Sequence, residues 1–129
     1  MPLARIELIK GWSRAEKNSI IEAVDAAMVE ALKIPKHNRV IRLFEHDRED
    51  FQTRPEVSDK CALVEITLFP GRSLDAKKKL YQLIVGKLEV VGVPRLESRV
   101  ILYEPPMENW GIRGGFPACE VDLGFEVAV

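Results

Sequence analysis

The stretch Ile6–Ser13, read as IELIKGWS, decides the fold because it returns later in the chain as Ile66–Ser73, read as ITLFPGRS. The glycines of the two copies are 60 residues apart, and so are the serines. The tripeptide Arg-Val-Ile recurs at the same offset, at 39–41 and 99–101, and each copy follows an Ile-Pro or Val-Pro step. Self-similarity at a fixed offset indicates a duplicated structural unit.

Each copy carries the signals of a strand, a turn, a helix, a loop and a second strand. Apolar residues alternate over 3–9 and 62–69, which is the period of a half-buried strand. They then recur at helical spacing over 14–33 and over about 74–91. Ser13 and Glu16 have the spacing of a capping box, and Ser73 occupies the matching position in the second copy. Prolines at 35 and 94 end the two helices.

These units predict an α+β fold, in which two β-α-β repeats form a four-stranded mixed sheet with both helices on one face. We expect one domain over 1–129, with repeat halves at about 2–46 and 61–104. The polar stretch 47–60 is interpreted as a loop that joins the halves. Residues 105–129 predict a loop or hairpin followed by a C-terminal strand at about 119–127. The run Lys77–Lys79 is interpreted as a solvated helix face.

The sheet face that the helices leave uncovered has a mixed composition. The alternation places on it both charged or polar and apolar side chains: Arg5, Glu7, Glu65, Thr67, Leu63, Ile9 and Phe69. This pattern is compatible with a half-solvated face and equally with a face that meets other subunits. The pattern alone leaves both interpretations open.

Composition excludes several classes of function. The chain has 129 residues, 47% of them apolar and 30% charged, which is ordinary for a soluble globular protein. The net charge of −1 offers no electrostatic basis for binding nucleic acid or an anionic membrane. No apolar run approaches the length of a bilayer span, and Glu7 interrupts any apolar region of an export signal.

Cysteine and histidine usage predicts a reduced, cytoplasmic protein without a metal site. Cys61 and Cys119 lie far apart and form no C-x-x-C motif. His37 and His46 are not at metal-ligand spacing with each other or with a cysteine. The glycines at 111–115 match neither a phosphate loop nor a dinucleotide motif, so we expect no cofactor.

Pro2 is the sharpest candidate for chemistry. Methionine is usually removed when the second residue is small, and removal would leave a free secondary amine at the chain end. An α-amino group titrates near ~8, well below lysine, and burial or nearby arginines lower its pKa further. A neutral amine can act as a general base or attack a carbonyl. With Met1 retained, the Pro2 nitrogen is an amide and this chemistry is closed to it.

The chain opening, Pro2–Leu8 read as PLARIEL, at the head of a duplicated β-α-β chain of this length resembles the tautomerase superfamily. Within it, the malonate semialdehyde decarboxylase-like branch is the most similar. The resemblance includes Ile34-Pro35 before the second strand, Gly71–Ser73 at the second turn and Asn109–Gly111 near the end. It implies a catalytic Pro2 and a homotrimer with Pro2 in a pocket between subunits.

Three further residues are candidates for binding a carboxylate-bearing small molecule. Arg72 precedes the second helix, where a guanidinium can hold a carboxylate in bidentate fashion; alone it would equally be a solvent-exposed turn arginine. The decarboxylases that the chain resembles carry a substrate-binding arginine there. Trp110 is interpreted first as packing, and otherwise as a pocket wall that lowers the local dielectric. Arg113, among glycines, is either a mobile loop charge or a second substrate-binding cation.

Two positions depart from the decarboxylase pattern. Pro70 stands where those enzymes have a second arginine, and Asn38 stands where they have a catalytic aspartate. Asparagine cannot exchange a proton in the physiological range, although it can donate hydrogen bonds to a substrate. Asn38 is therefore expected to bind substrate rather than to act as an acid.

Three hypotheses follow from these residues. The first is a tautomerase that interconverts enol and keto forms of small 2-oxo acids with Pro2 as the base. The second keeps the fold but decarboxylates or hydrates a 3-oxo acid. The third is a non-enzymatic trimeric binding module.

Overall fold

The computed structural model describes all of residues 1–129. Two α-helices and four long strands follow one another in duplicate order. Their bounds are β1 (Leu3–Ile9), α1 (Arg14–Leu32), β2 (Val40–His46), β3 (Ala62–Thr67), α2 (Leu74–Val91) and β4 (Ser98–Tyr103). A short hairpin, β5 (Gly111–Ile112) with β6 (Phe116–Pro117), comes after them.

The four long strands form one mixed sheet in the order β2-β1-β3-β4. Each β-α-β unit contributes a parallel pair, and the two units join through the antiparallel pair β1 and β3. Leu3 therefore lies beside Val40, at the start of β2, and beside Thr67, at the end of β3. The predicted α+β architecture is confirmed, and the register brings the chain start to the end of the second repeat's first strand.

Local sequence explains where both helices begin and end. The Ser13 hydroxyl accepts from the Glu16 backbone N–H, and the Glu16 carboxylate accepts from the Ser13 N–H, so the predicted capping box is present. The Ser73 hydroxyl accepts from the Ala76 N–H in the same way. Helix α2 ends at Gly92, whose φ of +127° suits glycine and whose α-carbon faces the Trp12 ring.

The core lies between the helices and one face of the sheet. Ala4, Ile6 and Leu8 alternate into it from β1, and β3 contributes the matching residues from its own inner face. Buried helix residues complete the layer: Ile20, Ala23, Val24, Ala27, Met28, Ala31, Leu32, Leu80, Ile84 and Leu88. Burial of this apolar area is the main favourable term in folding.

The opposite face of the sheet, here called the outer face, is only partly shielded. Val40, Phe44, Ile101 and Tyr103 are exposed apolar side chains on its strands. The Arg5 guanidinium lies 4.7 Å from the centre of the Phe44 ring, a cation–π contact. Ile9 and Phe69, which the alternation had grouped with this face, are instead buried under neighbouring loops.

Two sequence predictions about surface segments are wrong. Residues 119–127 do not form a strand: a 3-10 turn at Ala118–Glu120 leads into irregular chain, and the apolar side chains of this chain pack against Phe69 and Trp110 without pairing its backbone to a strand. Lys77 is not a freely solvated lysine, since its ammonium forms a half-buried ion pair with Glu104 at 2.6 Å. The hairpin expected within 105–129 is present as β5 and β6.

Neither helix has the combination of length and apolarity needed to cross a membrane.

Candidate active site

The chain start is anchored at the edge of the sheet where β1 and β2 begin. Pro2 is buried, and its carbonyl accepts a hydrogen bond from the Val40 N–H at 3.0 Å. The amine of Met1 donates to the Asn38 backbone carbonyl at 3.0 Å and to Asn38 Oδ1 at 3.1 Å. Asn38, in the loop before β2, and Val40, at the start of β2, thus fix the position of the chain start.

This environment favours the uncharged form of the terminal amine. Burial disfavours the ammonium and lowers the pKa of the Met1 amine from its ordinary value of 8.0. The positive charge of Arg72 lowers that pKa further. Both effects act in the direction a general base at neutral pH requires.

Arg72 is the one charged side chain that the fold buries, with 5% of its surface exposed. It follows Gly71, whose φ of +131° turns the chain from β3 toward α2. Its Nη1 donates to the Phe69 carbonyl at 3.2 Å, and its Nη2 lies 3.5 Å from the Leu32 carbonyl, at the outer limit for a hydrogen bond. Burial lowers the pKa of Arg72, and the Glu104 carboxylate opposes that effect. Its Nε has no partner, so a buried donor remains available.

A cavity of about 270 Å³ opens beside the terminus. Met1 and Asn38 form one side, and the rest of the wall is mostly apolar, completed by Phe69, Ile112, Arg113, Leu123 and Phe125. The cavity thus combines an amine, an amide and a guanidinium with an apolar lining. This is the composition expected of a pocket for a small molecule with an apolar body and an anionic group.

Arg113 reaches this cavity from the turn of the β5–β6 hairpin, where its φ is +52°. It has no ion-pair partner in the structure and is exposed to solvent. A guanidinium in this position can meet an incoming carboxylate without first breaking an internal pair.

Trp110 supports the cavity wall from behind. Its ring lies 4.6 Å from that of Phe69, centre to centre, at 60° between planes, and its Nε1 donates to the Pro105 carbonyl at 3.1 Å. It is buried and does not line the cavity, so its packing interpretation matches the structure. Phe69, Trp110 and Ala118 form a small core of their own beneath the site.

Four of the five predicted residues, namely Pro2, Asn38, Arg72 and Arg113, therefore lie at or next to the cavity. The fifth, Trp110, contacts the cavity wall through Phe69. Asn38 and Arg113 line the cavity, Pro2 is bonded to the lining residue Met1, and Arg72 acts on the terminal amine by its charge without lining the cavity. Sequence reasoning missed Phe69, Ile112, Leu123 and Phe125. The last two lie on a segment expected to be a strand, and only a three-dimensional fold places them over β3.

No group of three or more His, Cys, Asp or Glu side chains converges anywhere in the structure to offer a metal site. The chemistry available at the cavity is that of an amine with a lowered pKa, the Arg113 guanidinium in the lining, and the charge of Arg72 behind the amine. Such a group can accept a proton from a substrate while the arginines stabilise the negative charge that develops.

A sheet of duplicated β-α-β units that carries a buried amine, with arginines beside it, suits the class of enzymes that catalyse proton transfer. A profile of the tautomerase enzyme family matches residues 38–113, and a second tautomerase profile matches residues 2–60, beginning at Pro2. The chain belongs to the tautomerase family and is accordingly an isomerase.

Individual relatives agree with this assignment. The probable tautomerase YusQ of Bacillus subtilis (strain 168) is 25% identical over 121 residues, which are 89% of this chain and 95% of YusQ. The 2-hydroxymuconate tautomerase of Comamonas testosteroni is 39% identical over 51 residues, covering 39% of this chain and 81% of that enzyme.

Solved structures show the same architecture. The FG41 malonate semialdehyde decarboxylase inhibited by 3-bromopropiolate superposes with a TM-score of 0.78 at 27% identity, covering 88% of this chain and 89% of that one. A fused 4-OT, described as a symmetric trimer, superposes with a TM-score of 0.82 at 24% identity, covering 91% and 96%. The expected place of the chain near the decarboxylase-like branch is thereby supported.

Proposed function

We propose that the protein interconverts the enol and keto forms of small 2-oxo acids, with Pro2 as the general base after removal of Met1. The observation that carries this proposal is the lowered pKa of the terminal amine, which is buried and lies near the Arg72 charge. Removal of Met1 moves the free amine one residue along the chain, about 3.8 Å, to the buried position of Pro2. It also takes away a residue that lines the cavity.

The reaction needs one base and no external reactant. The neutral Pro2 amine takes the proton of the enol hydroxyl and becomes an ammonium, while the electron pair of the O–H bond forms the ketone and the C=C pair moves to carbon. The ammonium returns its proton to that carbon, which restores the amine. Arg72 stabilises negative charge during the transfer, and Arg113 holds the substrate carboxylate at the mouth. Asn38 orients the substrate or the amine through its amide.

The assay is the conversion of phenylpyruvate enol to ketone, followed by ultraviolet absorbance. We expect Pro2→Ala and Arg72→Ala each to lower kcat/KM by about 10²-fold or more, in the range that proton transfer and charge stabilisation supply. Arg14→Gln, an exposed substitution on α1 far from the cavity, is the control and keeps the wild-type rate. Equal rates in all four proteins would remove Pro2 and Arg72 from the mechanism.

Decarboxylation is the second candidate, and the 27% identity to a malonate semialdehyde decarboxylase over most of both chains favours it. Asn38 and Pro70 oppose it, because the chain lacks the acid and the second arginine of the decarboxylase pattern. Release of carbon dioxide from malonate semialdehyde at a rate above that of phenylpyruvate ketonisation would reverse this order of preference.

We also propose that the chain assembles as a homotrimer through its outer face. The exposed apolar side chains of that face support association, since they would leave water on assembly. The fused 4-OT relative of the same fold is described as a trimer. We place the protein in the reducing cytoplasm, where Cys61 and Cys119 stay free thiols.

A further inference from the structure

The duplication that builds the candidate active site also builds a second, larger cavity at the opposite end of the sheet. This cavity, of about 420 Å³, lies where β3 and β4 begin. Its floor includes Cys61, Ala62 and Leu63, and the loop that follows β2 covers it with Phe51 and Val57. In the first cavity, the segment that follows β4 plays the covering role.

The 60-residue offset relates the floor of the second cavity to the chain start at the first. Cys61 and Ala62 correspond to Met1 and Pro2, and Trp12 corresponds to Arg72. The second cavity therefore lies at the matching place of the second repeat, without a terminal amine and without an arginine at the position of Arg72. The nitrogen of Ala62 is an internal peptide nitrogen, and burial raises the pKa of the Cys61 thiol and keeps it protonated.

The second cavity can still bind an anion, because an unpaired cation, Arg99, lines it. Arg99 lies on the outer face beside Leu63 and is exposed in the single chain. It has neither an ion-pair partner nor a hydrogen-bond acceptor for its side chain in the structure. The neighbouring carboxylate of Glu97 is already engaged, accepting from both the backbone N–H and the hydroxyl of Ser58. Arg54, also on the wall, is paired with Glu56 at 3.3 Å.

The remaining wall defines the rest of the ligand. Phe51, Val57, Leu63 and Leu96 provide an apolar surface, and Leu96 is almost fully exposed to solvent when nothing occupies the cavity. A ligand that covers these side chains removes apolar area from water, and a carboxylate on it can take a bidentate hydrogen bond from Arg99.

We propose that this second cavity binds a small carboxylate with an apolar body, held by the Arg99 guanidinium, and does not convert it. The site serves as a binding site beside the catalytic one, of the kind an effector or a product can occupy. It does not depend on Pro2 chemistry, since removal or retention of Met1 leaves its residues unchanged.

The test uses phenylacetate, an unreactive carboxylate, and the full chain in isothermal titration calorimetry. We expect Arg99→Gln to weaken the binding of phenylacetate by about tenfold or more, as the loss of a charge-assisted bond predicts. Arg14→Gln is the matched control and binds as the wild type does. Equal affinity of the wild type and Arg99→Gln, or no binding up to about 10 mM, would overturn the proposal.

A second measurement locates the ligand and separates it from binding at the first cavity. In Cys119→Ser, Cys61 is the only thiol, and it lines the second cavity but not the first. We expect phenylacetate to slow alkylation of Cys61 by iodoacetamide at about pH 9, and to do so less when Arg99→Gln is added. An alkylation rate that phenylacetate leaves unchanged would place the ligand elsewhere and refute the assignment.

Discussion

At the scale of single residues, the proposed function depends on the charge state of one amine. A terminal amine in water is largely protonated at neutral pH and is then no base. Here burial and the Arg72 charge both act against the ammonium form. Pro2 lies at the same place in the fold as Met1, so after removal of Met1 we expect burial and the Arg72 charge to lower the pKa of the Pro2 amine in the same direction.

The dependence of activity on pH tests this electrostatic arrangement. The amine is active when deprotonated, so kcat/KM should rise with pH and level off once the pH exceeds the amine pKa. A pKa lowered by burial and by the Arg72 charge places the midpoint of that rise below the ordinary pKa of a solvent-exposed proline amine. In Arg72→Gln the midpoint should move upward, toward that ordinary value, because one cause of the lowering is gone. A midpoint that does not move in this variant would show that Arg72 does not act on the amine.

Part of the candidate site could be predicted from the sequence, and part could not. Pro2 stands out because its nitrogen would be a free amine at the chain end, and Arg113 because it is a cation among glycines. Arg72 and Asn38 stand out through the resemblance to the decarboxylases. Phe69, Leu123 and Phe125 do not stand out, since an apolar residue looks the same in a core and in a pocket wall. Burial of Arg72 was equally hidden, because turn arginines are mostly solvated.

At the scale of elements, the C-terminal tail is attached to the first turn of α2. The Ser73 hydroxyl donates to the Val129 carbonyl at 2.7 Å while it also accepts from the Ala76 N–H. Gly71 lies close to Val127: a β-carbon there would meet the valine side chain at 3.3 Å. The tail thus positions Leu123 and Phe125 over the first cavity.

Ser73→Ala should therefore have two effects where Ser13→Ala has one. Each substitution removes an N-cap and should cost about 1 kcal/mol in the free energy of unfolding, measured with urea. Only Ser73→Ala also frees the tail, so amide hydrogen exchange over 121–129 should be faster in that variant. Equal exchange of the tail in the two variants would mean that Ser73 does not hold it.

The helices and strands of the repeat were predictable because local signals and burial agree there. Capping residues, alternation and prolines fixed α1, α2 and the four long strands to within a few residues. The prediction for 119–127 was wrong because its apolar spacing suits a strand, while in the fold its apolar side chains pack against the cluster of Phe69, Trp110 and Ala118. The prediction for Lys77 was wrong because its partner, Glu104, follows β4 and is 27 residues away in the sequence.

At the scale of the whole molecule, the sheet is covered unequally on its two faces. The helices bury one face, and the outer face keeps Val40, Phe44, Ile101 and Tyr103 exposed. Its mixed composition was visible in the sequence, but alternation alone could not distinguish solvent from another subunit. The fold places these apolar side chains on β2 and β4, the two edge strands of the sheet, with β1 and β3 between them. We propose that other subunits cover them.

Assembly is tested by sedimentation velocity. We expect the mass obtained for the wild type to be three times the 14.6 kDa of a single chain. Phe44→Glu should dissociate it, because a carboxylate placed in an apolar interface is costly to bury. Val90→Glu changes an exposed apolar residue on α2, outside the outer face, and should leave the trimer intact. A monomeric wild type, or a trimer that persists in Phe44→Glu, would contradict this assembly.

The central claim is that the mature chain begins with an uncharged Pro2 amine. Nitrogen-15 NMR of protein labelled at proline tests it directly, because among eight prolines only a terminal one can titrate. The account predicts one proline resonance that shifts with pH, with a midpoint below that of the same resonance in protein unfolded by urea. Eight amide resonances with none that titrates, or equal midpoints in the folded and unfolded protein, would contradict it.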